Sequence, residues 1–81
     1  MYPSVIKVVP NKDFTLAIEF NTGETGILDM NPFLNFGVFQ KISAYEQFQR
    51  VRVAFDTIEW DHGVDLDPEF VYANCKVTTK A

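Results

Sequence analysis

Three stretches of this chain alternate apolar and polar residues with a period of two, and that periodicity restricts the fold to one built on half-buried strands. In residues 14–20, Phe14, Leu16, Ile18 and Phe20 fall on one side and Thr15, Ala17 and Glu19 on the other. Residues 4–9 are rich in β-branched side chains and stop at Pro10, so they predict a preceding strand, with Asn11-Lys12-Asp13 as the turn. Asn21-Thr22-Gly23-Glu24 predicts a hairpin loop in which Gly23 is free to take a positive φ. A loop of two or four residues sets Phe20 opposite Thr25 and Ile18 opposite Ile27, the latter pair on the core face. Residues 25–29 then return as a third strand, completing an antiparallel meander.

The remainder alternates between helical and strand signals. Asn31-Pro32 predicts a short helical turn with proline at its first position, ended by Gly37. Residues 38–42 are compatible with either a helical or an extended piece. Ser43-Ala44-Tyr45-Glu46 matches a capping box and predicts a helix over 44–49 with Tyr45 and Phe48 facing inward. Residues 50–55 alternate again, with Val51, Val53 and Phe55 as the core face. A two-residue loop at Asp56-Thr57 pairs Phe55 with Ile58 and Val53 with Trp60, and sets Arg52 opposite Asp61. Asp67-Pro68-Glu69 reads as cap, first-turn proline and first-turn acid, predicting a helix over 68–74 that buries Phe70, with Val71 and Ala73 as further buried positions. Residues 76–81 predict a frayed tail. The expected class is α+β: an antiparallel β-meander plus a second β-hairpin with short helices.

Eighty-one residues predict a single domain spanning 1–81, with an ordered core over about 3–74, because two cores would each be too small to hold. A hydrophobic fraction of 47% with 22% charged residues is that of a folded chain rather than a disordered one. Seven Lys and Arg against eleven Asp and Glu give a net charge of −4, the wrong sign for a nonspecific grip on nucleic acid or anionic lipid. Direct nucleic-acid binding is therefore not expected. One cysteine cannot form an internal disulfide, and one histidine cannot build a histidine metal cage. No basic segment leads into an apolar run of the secretory kind. No stretch approaches the ~20 apolar residues of a spanning helix. A cytoplasmic protein with no membrane association is the expectation.

Six acids, Asp56, Glu59, Asp61, Asp65, Asp67 and Glu69, fall between Arg52 and Lys76 with His62 among them. Hard cations take carboxylate oxygens, but the calcium-loop spacing is absent. Asp67 and Glu69 already have work at a helix start, so solvated and capping roles explain the run better than a metal site. His62 has no Ser or Cys partner placed by any motif. Cys75 lacks the cationic surroundings that lower a thiol pKa. Gly23 and Gly26 span a hairpin rather than a strand-to-helix turn, so they form no phosphate cradle. Trp60 lies in an alternating segment and is expected in the core. No catalytic, cofactor-binding or metal-binding residue emerges. The segment Phe33-Leu34-Asn35-Phe36-Gly37-Val38-Phe39 concentrates more aromatic bulk than a small core readily absorbs. Phe33, Phe36 and Phe39, with the acids Glu59, Asp61 and Asp65, are the candidate interaction surface.

The order of these pieces resembles a bacterial family, the domain of unknown function 2442. The resemblance runs over about residues 3–74. It is carried by the Pro3-x-Val5-Ile6-x-Val8 strand, the strand from Phe14 to Phe20 leading into Asn21-Thr22-Gly23-Glu24, and Asp29-Met30-Asn31-Pro32-Phe33-Leu34. Its most specific part is Trp60 followed by Gly63-Val64-Asp65-Leu66 and Asp67-Pro68-Glu69. Asp61 stands where the family often has proline. The resemblance implies an α+β fold with no defined catalytic residue. Longer members carry a helix-turn-helix region for which this chain is too short. Members often accompany another small domain in a pairing that looks like toxin and antitoxin, and some relatives carry a molybdopterin-biosynthesis label. The expected function is that of a non-enzymatic protein-interaction module, antitoxin-like or homo-oligomeric, binding a more basic protein or a second copy of itself. The alternatives are an accessory of a transcriptional regulator or a protein linked to molybdopterin cofactor biosynthesis.

Overall fold

A computed structural model describes residues 2–79. Strands β1 (Val5–Pro10), β2 (Thr15–Phe20) and β3 (Thr25–Asp29) form the expected meander. A two-stranded sheet pairs β4 (Arg52–Ala54) with β5 (Thr57–Glu59). The helices are α1 (Tyr45–Phe48) and α2 (Pro68–Asn74), with 3-10 turns at Asn31–Phe33 and Gly37–Ile42. The architecture is α+β with antiparallel pairing throughout.

One element overturns its expectation. Residues 76–79, read as frayed tail, form β6 (Lys76–Thr79), which pairs antiparallel with β3 and gives a sheet of order β1-β2-β3-β6. The cause is Gly26. A β-carbon there would lie 2.7 Å from Cys75 Sγ and 2.7 Å from the Lys76 carbonyl oxygen. Only glycine lets the returning backbone come so close to β3. Residues 80–81 of that expected tail lie outside the described residues.

The first hairpin has a different register from the predicted one. Its loop holds three residues, Asn21-Thr22-Gly23, closed by Phe20 N–H donating to the Glu24 carbonyl at 2.9 Å, with Gly23 at φ 91°. Glu19 therefore faces Thr25, Ile18 faces Gly26 and Ala17 faces Ile27. A slip of one residue changes the side of the sheet that every β3 side chain meets. Leu28 goes into the core, and Ile27 lies on the outer face.

Two local expectations are also corrected. The capping box does not form: Ser43 Oγ donates to the Gln40 carbonyl at 2.8 Å, closing the preceding 3-10 turn, and Ala44 takes the cap position of α1 without a side-chain bond. Gly37 opens the second 3-10 turn rather than ending the first. By contrast, α2 has the expected bounds, and the Asp67 carboxylate accepts from Glu69 N–H at 2.8 Å. It buries Val71 fully and Phe70 partly, and leaves Ala73 exposed.

The core lies on one side of the larger sheet. Leu16, Ile18, Phe20, Leu28 and Met30 meet Leu34, Ile42, Phe48, Ile58, Trp60, Val64, Leu66 and Val71. Trp60 is 2% exposed, and its indole N–H donates to the Phe48 carbonyl at 2.8 Å, so the ring is buried with its polar atom satisfied.

Candidate functional site

The segment 33–39 does not present three rings. Phe33 packs edge-on to Phe70 with centroids 5.2 Å apart, and Phe39 lies half-buried against the core. Phe36 is 67% exposed, and Val38 beside it is also open to solvent. Phe36 caps the second 3-10 turn in an extended conformation, outside the turn itself, so its ring does not follow that of Phe39, three residues on, to the core.

The three acids do come together, on the outer face of the second sheet. The backbone of Glu59 pairs with that of Asp65 in an isolated antiparallel bridge beyond β5, and Arg52 faces Glu59 from β4. Arg52 holds Glu59 at 2.9 Å and Asp61 at 2.9 Å, and Arg50 reaches Asp61 at 3.5 Å. The hydrogen bond from Arg52 keeps the Asp61 carboxyl below the usual range of an aspartate, and Asp61 in turn raises Arg52. Two of the three acids thus have cations already in place.

That pairing arises from a hairpin whose loop differs from the expected one. The observed partners are Arg52 with Glu59, Val53 with Ile58 and Ala54 with Thr57, leaving Phe55-Asp56 as the loop. The shift moves β5 by two residues, which preserves faces, so Arg52 still reaches Asp61 diagonally. Phe55, however, leaves the core. It sits at the hairpin tip with φ 56° and is 97% exposed.

Phe55, like Ile27, lies on the opposite side from the one its alternation predicts, and its surroundings set it apart. The left-handed region costs an L-residue roughly 1–2 kcal/mol. Phe14 also occupies it, at φ 66°, as the last residue of the β1–β2 loop, but its ring packs on Phe48 at 5.0 Å and Tyr45 at 5.8 Å. The ring is half-buried against the core, and its packing contributes part of the roughly 1.5–3 kcal/mol of full burial, which offsets the strain. Phe55 has no such compensation. The tip is nonetheless held in place, since Val5 N–H donates to the Asp56 carbonyl at 3.0 Å and Ser4 Oγ donates to the Asp56 carboxylate at 3.2 Å. The weakness of Asp-Thr as a turn pair was the one local sign that this loop lay elsewhere.

The remaining chemistry-bearing residues occupy unrelated positions. His62 is exposed in the three-residue loop between Trp60 and Val64, at φ 67°. Cys75 is buried at the end of α2, where burial pushes its thiol up to about 11. Glu24 is buried and accepts from Thr22 Oγ and from Tyr72 Oη, each at 2.9 Å. Among the described residues no three His, Cys, Asp or Glu side chains converge in a way that could hold a metal ion. No helix among them is long and apolar enough to cross a membrane.

The family model "Protein of unknown function (DUF2442)" matches residues 5–77, a span that takes in all of the elements from β1 to α2. The chain belongs to this family. No curated protein and no solved structure matches it. DUF2442 membership assigns no activity, so the reading of this chain rests on its own surface.

Proposed function

We propose that this DUF2442 protein is a non-enzymatic protein-interaction module whose anchor is Phe55. The observation that carries this is a bulky ring kept in a left-handed backbone conformation, fully in water, on a hairpin tip that hydrogen bonds pin to β1. A pre-organised aromatic knob seats in a pocket without losing the entropy of ordering a loop. Phe36 and the carboxylate of Asp65 supply further exposed groups from the candidate set, with Val38 exposed beside Phe36. The partner is a protein offering an apolar pocket with a basic rim, since Asp56 flanks the ring and the chain carries a net charge of −4.

The test immobilises the wild-type chain and the Phe55→Asn variant and quantifies proteins retained from an extract of the native host. The expected result is one protein held in near-equal amount by the wild type and reduced about tenfold or more by the variant. Asparagine tolerates the left-handed region, so the variant stays folded. Retention of nothing above the bare resin would rule out the module reading. Equal retention by both baits would remove Phe55 from it.

A further inference from the structure

The larger sheet has a second face, opposite the core, that no helix among the described residues covers. Its rows follow from the register. Val9, Ala17, Ile27 and Lys76 form one row across the four strands, and Lys7, Glu19 and Thr25 lie in the adjacent row. Val9 and Ile27 are exposed, and both rows border a shallow depression of about 190 Å³ lined by Lys7, Val9, Ala17, Ile18, Glu19 and Thr25. One-sided antiparallel sheets turn polar residues to solvent, whereas this one crosses its open face with an apolar stripe. Lys7 and Glu19 lie opposite each other, yet no ion pair joins them, and among the described residues neither has another charged partner.

We infer that this face is where two copies of the chain meet, in a two-fold pair centred on the seam between β1 and β2. Charge selects the occupant. Lys7, Lys76, Glu19 and Asp29 lie on the outward side by register, two cations and two carboxylates, so the net −4 of the chain resides elsewhere. Two copies therefore repel each other over most approaches and meet neutrally here. A two-fold axis along the seam sets Lys7 of one copy over Glu19 of the other, twice, with Val9 over Ala17 and the two depressions closed against each other. Such an isologous contact repeats each interaction, which is what a self-complementary row of one cation and one anion provides. The register slip that turned Ile27 outward supplies the far end of the stripe.

This surface is separate from the Phe55 tip, so the two readings are tested independently. Light scattering coupled to size exclusion, at about 10–500 μM, reads the mass of the wild type, Lys7→Glu, Glu19→Lys and the double exchange, with circular dichroism as the folding control. The expected wild-type mass is twice that of the chain. Each single exchange places like charges across the axis and weakens the dimer about tenfold or more, and the double exchange restores it. A wild-type monomer throughout the range overturns the inference, as does a dimer that neither single exchange weakens. A monomer that still retains a host protein through Phe55 leaves the module reading standing.

Discussion

Phe14 and Phe55 are the same residue in the same backbone region, and their rings meet opposite surroundings. This predicts substitutions of opposite sign. Phe55→Asn raises stability by about 1 kcal/mol, because strain is relieved and no packing is lost. Phe14→Gly lowers it by about 2 kcal/mol, because the ring contacts outweigh the strain removed. Chemical denaturation of both variants measures the pair. Tyr72 and Cys75 set the alkaline limit. The hydrogen bond to Glu24 raises Tyr72, and burial raises Cys75 to about 11. Both groups favour the protonated form when folded. Their contribution is whole below the unfolded values, roughly 8.5 for cysteine and 10 for tyrosine, and is lost as pH climbs through the higher folded ones. Denaturation midpoints should therefore fall between about pH 8.5 and beyond 11, less steeply in Tyr72→Phe. Cys75 should resist a thiol reagent at pH 8 until the chain unfolds.

Among the elements, both hairpins depart from the register that alternation predicts, by different amounts, and the consequences differ in kind. Alternation fixes which residues share a face but leaves the loop length free. Moving β5 by two residues preserved every face, so the Arg52–Asp61 pair was legible although the neighbour was not. Moving β3 by one sent Ile27 outward, and with it went the composition of the open sheet face. The three-residue loop with a left-handed last residue explains the shift, and Gly23 was the visible sign of it. The α2 helix was legible to the residue because cap, proline and acid are local signals. The Ser43 capping box failed because Ser43 closes the preceding 3-10 turn in a helical conformation, which leaves the extended cap position of α1 to Ala44. At β6 the prediction is Gly26→Ala. A methyl group 2.7 Å from backbone and sulfur forces the strands apart, and hydrogen exchange should lose protection over residues 76–79 and at β3 while β1–β2 pairing persists.

For the whole molecule, one core joins both sheets. Trp60 and Ile58 from the second sheet pack with Phe20 and Leu28 from the first, and Trp60 is bonded to Phe48 of α1. Unfolding is therefore expected as one transition, with tryptophan fluorescence and far-ultraviolet circular dichroism giving coincident midpoints; separated midpoints would show that the hairpin melts alone. What faces water is a pinned phenylalanine, a hairpin face with its carboxylates mostly paired, and a neutral sheet face with an apolar stripe.

Periodicity, β-branching and local caps were enough to read the class of fold, the strand segments of the meander, the α2 helix and the inward tryptophan, because each depends on residues within a turn or a strand of one another. Family membership was readable for the same reason, since it follows the order of those segments. The return of β6 onto β3, the Glu24–Tyr72 bond and the exposure of Phe55 were not readable. Each depends on how far two distant backbones approach or on where a loop closes, and those are settled when the whole core packs at once.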